Sequence, residues 1–155
     1  MMFNITSFSP GSIDAKQFGY EKLYEYEKVK NKISTAKNAS EAANYKNKKI
    51  LIILEDYGYD DGAVKIIAEK KNICFLIDLS RIINSYGTPR AILMSKLRAF
   101  LRLCVKHGAY YTFADFAKDE FELRRARELM HISLLLGLNL GQSKFAMKML
   151  KHYVD

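Results

Sequence analysis

The sequence predicts an α/β protein with mostly parallel strands. Three short apolar runs carry that expectation: ILIIL (50–54), ICFLI (73–77) and AYYTF (109–113). The first two are unbroken and rich in β-branched residues, as in strands buried on both faces. Amphipathic helical patterns separate and follow these runs, and strand–helix alternation implies parallel pairing through right-handed crossovers. This pattern fits an open doubly wound sheet or a (β/α) barrel. A complete eight-unit barrel takes about 250 residues, and this chain has 155. The expectation is one domain over residues 1–155, cut short of a standard barrel.

The elements follow in order. FNITSF (3–8) is a short strand closed by Pro10 and Gly11. Residues 12–19 hold a helical turn or two ending at Gly19. Residues 20–35 mix Tyr and Val alternation with Glu and Lys, and are read as strand. Asn38 or Ser40 caps a short helix through residue 46. After ILIIL, residues 60–71 form a helix, with Asp60 and Asp61 at its positive end and Lys70 and Lys71 at its negative end. A long helix spans 89–107, with Pro89 at its first position and Gly108 as its stop. Another helix runs from about 119 to 136 and stops at Gly137. The last covers 140–153, with Asn139 and Gln142 placed as a capping box.

Charge is distributed unevenly. There are 25 Lys and Arg against 17 Asp and Glu, a net of +8, and the pI is near 9.4. Residues 1–80 carry 12 Lys and 11 acids, whereas residues 81–155 carry 13 basic residues and 6 acids. All seven Arg (81, 90, 98, 102, 124, 125 and 127) fall within 47 positions. Guanidinium groups match phosphate oxygens in pairs, so clustered Arg is a stronger polyanion signal than Lys of equal charge. A solubilising surface is the plainer reading.

The 89–107 helix sharpens the signal. Leu93, Leu97, Phe100, Leu101 and Cys104 make one apolar stripe, and Arg98, Arg102 and Lys106 recur every fourth residue on the other side. The cations lie about 6 Å apart along the axis. In 117–138, the acids Asp119, Glu120 and Glu122 precede Arg124, Arg125 and Arg127. Helical spacing lets Arg124 and Arg127 reach one phosphate together. Pairing with Glu120, Glu122 or Glu128 competes, but exposed pairs of this kind are worth at most about 0.5 kcal/mol.

Other chemistry finds less support. YGYDDG after ILIIL is neither a dinucleotide nor a P-loop fingerprint. Glu55, Asp56, Asp78 and Asp115 follow strand runs, where barrel enzymes place metal ligands and bases. They offer the alternative of a small metal-dependent phosphoesterase, against loop solvation and helix capping. His131, on a helix with Met130 and Leu134, reads as structural rather than as a base. Of Tyr110 and Tyr111, one faces the core and the other outward. Cys74 and Cys104 sit in apolar surroundings and read as reduced thiols of a cytoplasmic protein. The longest nearly apolar stretch, 129–140, spans 12 residues, short of the 18 or so that a membrane helix needs. The first residues show no basic stretch followed by an apolar run, so no secretory signal is expected.

Three pieces, DYGYDDGAVKIIAEKKNICFLIDLSRII (56–83), PRAILMSKLRAFLRLCVKHGAYYTF (89–113) and AKDEFELRRARELMHISLLLGL (117–138), occur in an order that resembles the archaeal and eukaryotic ribonuclease P protein component 3 family. Leu123-Arg124-Arg125-Ala126-Arg127-Glu128-Leu129 stands where that family carries Leu-Arg-x-Pro-Arg-Asp-Leu. Ala114-Asp115-Phe116 stands where it usually carries Ser-Ser-Gly. The resemblance implies a reduced or incomplete TIM-like (β/α) barrel. It implies a subunit that binds no cofactor and performs no chemistry itself, within a holoenzyme that removes 5′ leaders from precursor tRNA. The catalytic Mg2+ is then held by the partner RNA. The implied partners are ribonuclease P RNA and ribonuclease P protein component 2, with precursor tRNA engaged indirectly and no membrane. The family's basic positions fall on Arg90, Arg98, Arg102, Lys118, Arg124 and Arg127. Lys106 and Arg125 join these as RNA-binding candidates from the charge pattern.

Overall fold

A computed structural model describes residues 1–155. Its strands are β1 (Phe3–Thr6), β2 (Lys22–Glu25), β3 (Ile33–Ala36), β4 (Ile50–Leu54), β5 (Ile73–Asp78) and β6 (Tyr110–Ala114). Its helices are α1 (Tyr26–Val29), α2 (Ala39–Ala42), α3 (Asp61–Lys70), α4 (Ser80–Ile83), α5 (Gly87–His107), α6 (Ala126–Leu135) and α7 (Leu140–Val154).

Every strand pairing is parallel. β3, β4, β5 and β6 form one sheet in that order, and β1 pairs with β2. The two sheets join just past β6. Phe116 N donates to Ile5 O at 3.1 Å, Ser7 N donates to Ala117 O at 2.7 Å, and Thr6 bridges Ala117. The order is therefore β2–β1–β6–β5–β4–β3, the sequence of neighbours in a (β/α) barrel with the β2–β3 seam unpaired. The fold is a TIM-like α/β roll of six strands, the barrel-like of the two parallel arrangements that strand–helix alternation allows.

Alternate residues of each strand feed two cores, as the period of two requires. Ile50, Ile52 and Leu54 of β4, with Ile73, Phe75 and Ile77 of β5, meet the outer helices. Val64 and Ile67 of α3 and Leu97, Phe100, Leu101 and Cys104 of α5 cover them, the predicted stripe. Leu51, Cys74 and Leu76 point the other way, into a smaller core with Phe3, Ile5 and Tyr24. There α7 contributes Met149, Leu150, Tyr153 and Val154. Each large apolar side chain buried this way contributes about 1.5–3 kcal/mol.

The end of α7 closes the base of the roll. Tyr153 OH donates to Lys71 O at 3.0 Å, just before β5. Lys151 Nζ lies 5.6 Å over the Phe3 ring of β1, and Lys49 Nζ lies 5.7 Å over Tyr153. Lys22 of β2 pairs with Asp155 at 3.8 Å. All four contacts fall at or beside the N-terminal ends of strands.

Several boundaries differ from the sequence reading. Residues 20–35 hold two short strands, β2 and β3, separated by α1 and a 3₁₀ turn at Lys30–Lys32. α5 begins at Gly87, so Pro89 is its third residue rather than its first. Its end matches the expectation: Gly108, at φ 73°, adopts the left-handed conformation and donates its N–H to Cys104 O. α4 follows β5 without a sequence signal. α6 starts at Ala126 rather than near 119. Asn38 and Asn139 cap α2 and α7 as predicted. Cys74 and Cys104 are free and buried, and burial pushes both thiols up. Tyr111 is buried and Tyr110 half-buried, packed 5.7 Å from the Phe145 ring. No helix is long and apolar enough to cross a membrane.

Candidate nucleic-acid interface

Arg90, Met94, Arg98, Arg102 and Lys106 follow one another at steps of four along α5. At roughly 1.5 Å per residue the row is about 24 Å long. α6 runs alongside it. Arg98 Nε donates to Leu135 O at 3.0 Å, at the helix end where carbonyls lack partners and the dipole favours a cation. Two hollows open between the helices. One, of about 400 Å³, is lined by Arg90 and Met94 of α5, by Arg124, and by His131 and Leu135 of α6. The other, of about 230 Å³, is lined by Arg98, Arg102, Lys106 and Gly137. Arg90 and Arg124 thus share the first hollow, and Arg98, Arg102 and Lys106 the second, along one side of α5.

Arg124 owes its place to groups far away in sequence. Its N–H donates to Asp115 Oδ2 at 2.9 Å, and its carbonyl accepts from Tyr20 OH at 2.7 Å. Asp115 Oδ1 accepts from Asn4 Nδ2 at 2.9 Å and from Ala117 N at 3.2 Å. Asn4 Oδ1 in turn accepts from Asp115 N at 3.0 Å. Asn4, Tyr20 and Asp115 are all buried. Burial pushes the Asp115 carboxyl above its ordinary range, while the donors from Arg124, Asn4 and Ala117 pull against that rise. Gly19 completes the seat: at φ 83° it is left-handed, and a Cβ there would lie 3.2 Å from Ala126 Cβ.

The predicted helical pairing of Arg124 with Arg127 does not form, because Arg124 precedes α6. Two local devices delay the helix. Asp119 Oδ1 accepts from Glu122 N at 2.9 Å, and Glu122 Oε2 accepts from Lys118 N at 3.0 Å, closing a turn. Asp115 then holds residue 124 in the chain leading to the helix. Arg125 is the N-cap residue, its N–H donating to Glu128 Oε2 at 2.8 Å. Its guanidinium turns away toward Gln17 O at 3.5 Å. Arg127 is exposed in the first turn of α6, and Lys118 is exposed on the preceding turn. Lys106 shares its charge with Asp61 at 3.1 Å, which also meets His107 Nε2 at 2.9 Å. His107, followed by Lys106, holds the Asp61 carboxyl below its ordinary range. Arg81 leaves the group: Nη1 and Nη2 donate to Leu54 O and Glu55 O, tying down the end of β4.

The strand-end acids do separate structural jobs, which removes support for the phosphoesterase alternative. Asp56 pairs with Lys96 at 2.7 Å, and that bond lowers its pKa. Asp78 accepts from the Ser80 N–H at 2.9 Å and from its hydroxyl, and burial raises its pKa. Asp115 anchors residue 124, and Glu55 is exposed. No three His, Cys, Asp or Glu side chains are grouped so as to hold a metal ion.

Neither the known family models nor the curated proteins give a match to this sequence. Among solved structures, the chain is similar to one in a cryo-EM structure of archaeal ribonuclease P with mature tRNA, with a TM-score of 0.67. The match covers 99% of this chain and 79% of that one, at 14% identity. At that identity the likeness shows a shared fold.

Proposed function

We propose that this chain is a protein subunit of ribonuclease P, of the component 3 kind. The row of Arg90, Arg98 and Arg102 along α5, with Arg124 beside Arg90 across the α5–α6 hollow, supports this reading. It does so on a fold shared with a chain of an archaeal ribonuclease P. The groove neutralises phosphates of the folded catalytic RNA and favours its active shape. Arg forks suit this work because they bind phosphate oxygens in pairs. Lys106 adds its charge to the second hollow, and the exposed Arg127, Arg125 and Lys118 bind further phosphates outside the two hollows. The protein contributes no reacting group. Mg2+ belongs to the RNA, which cuts precursor tRNA, and the tRNA meets this subunit only indirectly. Ribonuclease P protein component 2 is its protein partner, in the cytoplasm.

Reconstitution tests this. The chain is added with component 2 to the catalytic RNA, and precursor-tRNA cleavage is followed as Mg2+ is lowered. The expected result is cleavage at Mg2+ concentrations where the RNA alone is inactive. Equal Mg2+ dependence with and without the chain rejects the proposal.

A further inference from the structure

The hollow at the Arg90 end of the groove differs from a plain phosphate site. Phosphate contacts need cations and N–H donors; they do not need an apolar floor. This hollow has one, built by Ile83, Met94 and Leu135. Leu135 is 61% exposed. Arg90 and Arg124 flank the floor, and His131 and Glu128 stand on the α6 side. At about 400 Å³ it falls within the size range of small-ligand pockets.

The polar groups are only partly engaged. Arg90 Nη2 donates to Ile83 O at 3.2 Å, which fixes the guanidinium, yet its Nε is buried without a partner. Glu128 uses Oε2 on the Arg125 N–H, leaving Oε1 to accept from an amino group. Arg124 is held from behind by Asp115 and Tyr20, so its side chain extends from a fixed point.

We infer that this hollow takes a single unpaired nucleotide, its base on the apolar floor and its phosphate between Arg90 and Arg124. The inference rests on the RNA-binding reading above and adds the kind of nucleotide. Unstacked bases stack on histidine rings and guanidinium planes, both of which line this hollow above its apolar floor, with their edges meeting side-chain donors and acceptors. A nucleotide within a regular duplex keeps its base stacked and offers only its phosphate.

The test uses two RNA hairpins, one with a single bulged adenosine and one fully paired, titrated against the purified chain by fluorescence anisotropy. Wild type should bind the bulged hairpin about tenfold more tightly, in line with one seated base. Leu135→Ser, at an exposed position, and Met94→Ser should abolish that preference, bringing affinity for the bulged hairpin down to that for the paired one. Equal affinity of wild type for both hairpins overturns the nucleotide site and leaves general RNA binding standing. Persistence of the preference in both variants overturns the location. Binding to neither hairpin at low salt overturns this inference together with the RNA-binding reading.

Discussion

Asp115 accepts the Arg124 N–H at 2.9 Å from a carboxylate that Asn4 and Ala117 also grip, so a buried acid past β6 sets the position of a groove arginine. The acid acts as an acceptor for three N–H donors. Asn in its place would aim an amino group at one of those donors. Asp115→Asn should therefore cost about 1–3 kcal/mol, the penalty for leaving buried donors unpaired. Urea denaturation reads the loss, and RNA affinity should fall with it although no cation has been removed. Unchanged stability would show that the anchor is dispensable.

Arg124→Ala combined with Arg127→Ala should leave the melting temperature nearly unchanged, because both side chains are exposed. RNA binding should weaken. The plot of log affinity against log salt should become shallower by about 0.7–0.9 for each lost phosphate contact. Filter binding across a salt series measures both quantities. An unaltered slope would remove these two residues from the interface.

Phe100 packs edge-on against Phe75 at 4.9 Å and against Tyr57 at 5.0 Å, joining α5 to the sheet. Phe100→Ala should cost about 3–5 kcal/mol through lost burial and the cavity left behind. Denaturant midpoints report this directly. The groove should lose RNA affinity only in step with the unfolded fraction.

Asp61 governs a pH effect. His107 and Lys106 favour its ionised form, so its folded-state pKa lies below the unfolded one. The stabilisation is complete above the ordinary carboxylate pKa of about 3.9 and is lost as pH falls through the lower folded value. Asp61→Asn should flatten the acid limb of the stability curve below about pH 4 and leave the curve's shape unchanged near neutrality. Denaturant midpoints collected across pH would show this. An acid limb equally steep in both proteins would contradict it.

Much of the outer layer was legible because its signals are local. Leu97, Phe100, Leu101 and Cys104 announce the buried stripe of α5 by spacing alone, and Gly108 announces its end. Arg98 and Arg102 were placed on one helix side by the same spacing. What spacing could not supply was the second wall of the groove. Arg124 joins through Asn4 and Tyr20, more than 100 positions away, and no periodicity encodes a bond of that reach. The start of α6 at Ala126 is hidden for a related reason. The acids at 119–122 resemble a helix N-terminus, but their side chains close a turn of their own. His131, between apolar neighbours on α6, stands exposed at the edge of the hollow. That became visible only once α5 lay beside α6.

The joining of β1 to the segment after β6 carries a kinetic consequence. Ile5 and Phe116 must find each other across more than a hundred intervening residues before the roll can seal. Loop-closure entropy makes such meetings late and slow. The Arg124 anchor depends on the same meeting, since Asn4 lies on β1. Refolding followed by two probes should therefore separate in time, with helix signal returning first and polyanion-binding competence arriving with the last phase.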